Sequence, residues 1–357
     1  MKINKNQFTL DSKMRDFLFF LGRGKGHMFR FLLNRFRWYL FPRFHYVGRF
    51  PDHVDIEATN MCNMKCPMCY RHKMKCKLSL MDMDLYRKII DECGDNNVYS
   101  IRLSWRGEPL MHPDLVEMIR YAKRKGIKEV SFLTNALGLD KRMSRELILS
   151  GVDWITVSFD GTGKTYEEIR YPAKYEEALE RLRQFQEIKK ELKTNKPVLK
   201  AQTIWSAVRE DPQEYYEALN PVVDKISSIS NKDYYNGKIK HDPDFICPAI
   251  WQRLAISSNG DVTQCICDAM EHNVIGNVAK TSIKDLWHSP ELTKVRQLHL
   301  DKDRLKLQAC VECFEGNLKS EEKVKVGNRT IKADMQSTTL EVSKTGQGKG
   351  DETVNNS

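Results

Sequence analysis

Val54-Asp55-Ile56-Glu57-Ala58-Thr59-Asn60-Met61-Cys62-Asn63-Met64-Lys65-Cys66-Pro67-Met68-Cys69 joins a short β-branched run to a loop that carries three cysteines. Val54 to Ala58 alternates apolar and polar side chains, the period of a strand. The loop reads C-x3-C-x2-C. Three thiolates so close in sequence suit metal or cluster ligation, and three irons of a cubane would leave the fourth without a local protein ligand. Zinc is the competing reading, with His72 as fourth ligand.

Further runs repeat the strand signal: Ser100–Trp105, Glu129–Thr134, Trp154–Phe159, Val198–Ile204 and the weaker Lys225–Ile229. Amphipathic stretches lie between them: Leu85–Cys93, Leu115–Lys125, Lys141–Leu149, Tyr175–Leu192 and Gln213–Leu219. Gly126 and Gly151 are stop signals. Alternation of this kind implies a parallel sheet covered by helices. Six units without a Rossmann glycine fingerprint favour a partial (β/α)6 TIM-like barrel, an α/β fold with its chemistry at the C-terminal strand ends. Distinctive residues do follow the strands: the Cys62 loop, then Arg106-Gly107-Glu108-Pro109, Asn135, and Ser158 with Asp160.

The chain has 357 residues and ten cysteines, with 41% hydrophobic and 30% charged residues. Those proportions are ordinary for a globular protein and exclude collagen, mucin and full-length disorder. No run approaches the ~18 apolar residues of a membrane span, and no secretory signal is present. The reading is therefore cytoplasmic, and grouped cysteines point to metal rather than disulfides. The net charge is +10. Residues 1–50 hold eleven Lys and Arg against two Asp, with thirteen of the thirty-four aromatics. This basic aromatic segment is expected to be helical. It either packs on the domain with its cationic stems reaching water, or contacts a partner or the inner face of a membrane peripherally. Nucleic acid is the least favoured partner. From 320 to 357 no aromatic occurs, and a disordered tail is expected.

The three-cysteine loop and the strand-edge residues resemble the radical S-adenosylmethionine (SAM) superfamily over about 54–230, within a core domain drawn at 51–235. The resemblance implies a [4Fe–4S] cluster on Cys62, Cys66 and Cys69 whose open iron binds SAM. Reductive cleavage would give a 5′-deoxyadenosyl radical that takes a hydrogen atom from substrate. Arg106-Gly107-Glu108 is similar to the Gly-Gly-Glu motif, with Gly107 near the methionine part of SAM and Glu108 near its amino group. Met68 would face the adenine. Ser158 and Arg170 resemble ribose and carboxylate contacts, and Asn135 and Asp160 further edge contacts. The competing readings are helix capping for Ser158 and Asp160 and a surface ion pair for Arg170.

Cys247, Cys265, Cys267, Cys310 and Cys313 follow the barrel. Asn259-Gly260 signals a hairpin turn, and a helix is expected near Ile283–Leu298. Residues 240–319 resemble a SPASM/Twitch auxiliary domain, a small cysteine-rich α+β unit. Cys247, Cys265, Cys310 and Cys313 would ligate a second [4Fe–4S] cluster, with Cys267 spare and zinc as the competing metal. The full form has further cysteines after Cys313; this chain has none. A fully ligated cluster has no open iron for substrate and would accept electrons. That resembles radical SAM dehydrogenases acting on aminocyclitol alcohols. Sulfatase-maturing relatives carry an acid directly after a cysteine, where this chain has Ile266; Asp268 is a weak candidate. No catalytic base is identified.

The leading expectation is an oxidoreductase acting on a sugar- or cyclitol-like alcohol, fed by a donor such as flavodoxin or ferredoxin. The alternatives are a maturase of a ribosomally made peptide or protein, and a zinc-stabilised nucleic-acid or membrane binding module. About fifty residues precede the first strand, too few for the leader-binding winged helix of many peptide-modifying relatives.

Overall fold

The computed structural model describes residues 7–230 and 240–336. The chain opens with β1 (Gln7–Thr9), α1 (Lys13–Arg23) and α2 (Met28–Arg43). Strands and helices then alternate: β2 (His53–Ile56), α3 (Met83–Asp95), β3 (Ser100–Arg102), α4 (Leu115–Arg124), β4 (Glu129–Thr134) and α5 (Lys141–Ser150). β5 (Trp154–Ser158) precedes α6 (Gly163–Ile169) and α7 (Tyr175–Glu191), and β6 (Val198–Ile204), α8 (Pro212–Leu219) and β7 (Lys225–Ile229) complete the series. The local chemistry explains the boundaries. Asp82 caps α3 through the Asp84 and Leu85 amides, Asp140 caps α5, and Gly151 ends α5 at φ +87°, a left-handed conformation that suits glycine.

Strands β2 to β7 form a parallel run in sequence order, the partial barrel that the alternation implies. The ten-stranded sheet extends beyond it at both edges. β1 pairs antiparallel with β7, Phe8 opposite Ser228. Residues 1–50 are therefore not helical throughout, because three residues are too few to show a period. At the other edge β8 (Arg253–Ile256) pairs parallel with β2, and β9 (Asp261–Thr263) and β10 (Val274–Asn277) follow antiparallel. The expected Asn259-Gly260 turn joins β8 to β9, with Gly260 at φ +88°.

The expected helix at 283–298 is two helices, α9 (Ile283–Trp287) and α10 (Pro290–Leu300). Ser289 caps α10 through the Leu292 amide and Pro290 begins it, which stops α9. After α11 (Gln308–Val311) comes the clearest departure. β11 (Lys319–Val326) and β12 (Arg329–Gln336) form an antiparallel hairpin where disorder was expected. Val324 and Val326 are buried and Ile331 packs on the core, alternating with polar residues. Arg329 donates to the Leu10 carbonyl at 2.8 Å and lies 4.7 Å from the Tyr216 ring centroid. A period of two thus supplied one apolar face without any aromatic. Residues 337–357 of the expected tail lie outside the described residues.

Candidate functional site

The Cys62–Cys69 loop leaves the C-terminal end of β2, as barrel chemistry requires. Cys66 is 6% exposed, and Cys62 and Cys69 are half-buried. Burial pushes all three thiols above their usual range. Two donors face the sulfurs: Arg170 Nη1 is 3.9 Å from Cys66 Sγ, and Asn135 Nδ2 is 4.0 Å from Cys62 Sγ. His72, the zinc candidate, instead sets Nε2 3.0 Å from the Cys66 carbonyl. Among the described residues no three His, Cys, Asp or Glu side chains are gathered around a point where one ion would sit. Thiolates on separate irons of a cubane need no such gathering, and N–H groups aimed at sulfur suit thiolate ligands. The donor set fits a cluster.

The other edge residues converge on this loop. A Cβ on Gly107 would lie 2.2 Å from the Thr59 carbonyl oxygen and 2.5 Å from that of Met61. The loop after β3 therefore sits against the base of the cysteine loop, and only glycine fits. Glu108 donates its backbone N–H to Met61 at 2.7 Å. Its carboxylate accepts from Thr134 Oγ1 and the Asn135 amide, each at 2.7 Å, and from the Leu110 amide at 3.1 Å. Burial pushes Glu108 up to about 7 despite those donors. Asn135 Nδ2 also donates to Asn63 at 2.8 Å, inside the loop itself.

Asp160 is fully buried, accepts from the Ile204 amide at 2.6 Å and pairs with Arg170. Arg170 reaches the site from the end of α6, opposed by burial but held charged by Asp160 and Cys66. The ion pair, which the competing reading puts at the surface, is thus 16% exposed on the Arg170 side and points at a thiol. Ser158, the last residue of β5, is 7% exposed. Phe159 stacks on Tyr166 at 4.3 Å and its carbonyl accepts from Tyr215 Oη at 2.8 Å, which fixes this strand end. Met68 packs half-buried on the core.

All five later cysteines line one cavity of about 230 Å³. The Cys267 thiol contacts those of Cys265 and Cys313, and this contact together with burial pushes both well upward. Gln264 Nε2 lies 3.6 Å from Cys310 Sγ, as does His299 Nε2. Neither residue stands out in the sequence, because a lone Gln or His inside a helix or loop carries no spacing signal. Asp268 is 1% exposed, and its two oxygens accept from the His272 and Asn273 amides, each at 2.9 Å. It caps a turn.

Two further residues join the regions. Trp105 Nε1 donates to the Ile266 carbonyl at 2.8 Å. Arg106, where the family motif has glycine, makes two 2.6 Å bonds to Glu57 and a 2.9 Å ion pair with Glu271. Glu57 also accepts from the Ser258 amide and hydroxyl at 3.1 Å. The barrel thus grips the auxiliary hairpin through one buried charge network.

Residues 56–208 match the radical SAM superfamily, and residues 247–314 match an iron–sulfur cluster-binding domain of the SPASM type. The chain belongs to the radical SAM superfamily and carries a C-terminal SPASM auxiliary domain. The cofactors of this class are SAM and two [4Fe–4S] clusters, one catalytic and one auxiliary. Among curated relatives, a GTP 3′,8-cyclase of Chlorobaculum tepidum is 33% identical over 114 residues, 32% of this chain and 34% of that protein. A cofactor-modifying protein for tungsten-containing aldehyde ferredoxin oxidoreductase from Pyrococcus furiosus is 32% identical over 109 residues, 30% of each chain. The chain therefore spans about a third of the relatives it matches. Among solved structures, BtrN in complex with AdoMet and 2-DOIA superposes with a TM-score of 0.51 at 18% identity, covering 73% of this chain and 92% of that one. Streptococcus suis SuiB bound to its precursor peptide SuiA gives 0.54 at 15% identity, covering 76% and 72%. These likenesses concern the fold. No helix among the described residues is long and apolar enough to cross a membrane.

Proposed function

We propose that this chain cleaves SAM reductively and removes a hydrogen atom from a small sugar- or cyclitol-like alcohol, oxidising it by two electrons. When bound, the catalytic cluster and SAM supply the one-electron cleavage and the radical. The residues that would hold them are Cys62, Cys66 and Cys69 for three irons, with Arg170 and Asn135 donating toward the sulfurs. Glu108, fixed by three donors, would accept from the SAM amino group. Gly107 brings the segment after β3 against the cysteine loop, Met68 would lie beside the adenine, and Ser158 and Asp160 would close the edge. Cys247, Cys265, Cys310 and Cys313 would hold the auxiliary cluster as electron acceptor. Cys267 is the spare in this reading, although its thiol touches those of Cys265 and Cys313.

The observation that carries this reading is the pairing of a strand-end thiol loop with a separate cavity lined by enough cysteines to ligate a whole cluster. Full ligation suits electron transfer better than substrate binding. Modification of a ribosomally made peptide or protein is the second reading, supported by the fold shared with SuiB. Both imply a cytoplasmic chain and a low-potential donor such as flavodoxin or ferredoxin, with the N-terminal helices as a further contact surface.

The test is anaerobic incubation with dithionite, SAM and either deuterated cyclitols and sugars or peptide pools. Deuterium in 5′-deoxyadenosine from the small alcohols supports the first reading; transfer from peptides alone overturns it. The triple Cys62→Ala/Cys66→Ala/Cys69→Ala variant should lose cleavage and retain about four of about eight irons.

A further inference from the structure

α1 and α2 turn one side to the domain and leave the other bare. α1 contains no buried residue. Met14, Phe17, Leu18 and Leu21 form its outer stripe, with Phe17 57% exposed. In α2 the residues turned inward are Phe31, Asn34 and Pro42. The outward set is Phe29, Leu32, Leu33, Phe36 and Tyr39, with Phe29 80% and Phe36 59% exposed. Spacings of three and four place these side chains on one helix face. Phe44, 71% exposed, continues the patch beyond α2. A globular surface does not gather so many large apolar side chains without something to cover them.

The charge that this segment itself carries is almost all of one sign. Asp11 and Asp16 are the only acids in residues 1–50, and they pair with Arg15 and Lys225. Arg23 is bound to Glu129 at 2.7 and 2.8 Å, and Arg15 to the Asp224 carbonyl at 2.8 Å. Those cations fasten the helices to the barrel. Lys13, Lys25, Arg37, Arg43 and Arg49 are exposed, and none of them is in an ion pair among the described residues.

We propose that α1 and α2 dock this enzyme flat on an anionic lipid bilayer, with the phenylalanine and leucine stripes in the headgroup–acyl boundary and the five outer cations on lipid phosphates. Apolar stripes flanked by Lys and Arg, on helices too short to cross, are what an interfacial anchor requires. A second copy of the chain would bring the same cations against these and be repelled. The docking goes beyond the radical chemistry and stands without it.

The test is flotation of the reconstituted full chain with vesicles of phosphatidylcholine alone and of phosphatidylcholine mixed with phosphatidylglycerol. Binding is expected only to the mixed vesicles and should fall with added salt. Lys13→Gln/Lys25→Gln/Arg37→Gln should weaken it on the order of a hundredfold. Phe29→Ser/Phe36→Ser should weaken it on the order of a hundredfold or more. Both variants alter exposed side chains, so their iron content should stay at the parental level. Equal binding to both vesicle types, or none to either, overturns the proposal. So does a dimer at physiological salt that the Phe29→Ser/Phe36→Ser variant dissolves, which would assign the face to a second copy.

Discussion

His299 holds its ring between two cysteines: Nδ1 accepts the Cys247 backbone N–H at 3.3 Å, and Nε2 lies 3.6 Å from Cys310 Sγ. The first bond makes Nε2 the protonated nitrogen, because a neutral imidazole has one donor and one acceptor. Burial, with Arg304 nearby, pushes the ring down to about 4 and so keeps it neutral. An N–H aimed at a ligating sulfur favours the more negative, reduced form of a cluster. His299→Phe should therefore lower the auxiliary potential by about 40 mV, the equivalent of about 1 kcal/mol for one electron, at unchanged iron content. Potentiometric titration followed by electron paramagnetic resonance reads this. An unmoved potential would mean that the N–H does not act on the sulfur.

Arg106 and Glu57 are 2% and 0% exposed at their side chains. Arg106→Leu should cost about 3–5 kcal/mol in denaturant unfolding, because it strands a buried carboxylate. Arg106→Leu/Glu57→Leu should recover much of that loss. A double variant as unstable as the single one would show that the network matters for more than charge pairing.

Gly107 meets backbone, which cannot rotate away as a side chain does. Gly107→Ala should cost about 2–3 kcal/mol and shift the base of the cysteine loop. The expected readout is loss of SAM cleavage together with a fall from about eight irons to about four. Parental cleavage in the alanine variant is the contrary result.

Lys200 is 5% exposed, with Nζ 3.4 Å from Gln202 Oε1 and 6.0 Å from the Trp154 ring centroid. Burial, then Lys225, Arg23 and Arg102, lower it from 10.5 to about 7. Below pH 7 the amine is charged in both folded and unfolded chains, and the folded state bears the full burial cost. Between pH 7 and 10.5 the unfolded chain binds more protons, so stability rises with pH. From pH 7 to pH 9 the parent should gain about 2 kcal/mol that Lys200→Met does not. Chemical denaturation at the two pH values falsifies this if the two proteins keep the same gap.

Much of the barrel was legible because its strands and helices each bury one regular face. Glu129–Thr134 and Val198–Ile204 coincide with β4 and β6, and Lys225–Ile229 with β7. α6 and β1 were not legible, since seven and three residues leave too little period to read. The β11–β12 hairpin was hidden by composition: lysines and glutamates outweigh Val324, Val326 and Ile331 in any average, although the alternation is there.

The amino-acid order alone determined which thiols share a loop, where the chain reverses at Asn259-Gly260, and that a glycine follows the second strand at 107. These depend on neighbours in the chain and on local stereochemistry. Only the tertiary structure decided that Arg170 reaches Cys66 across 104 residues, that His299 faces Cys310, and that β8 joins the barrel beside β2. Those contacts join segments far apart in sequence, and burial, not spacing, sets which polar groups meet.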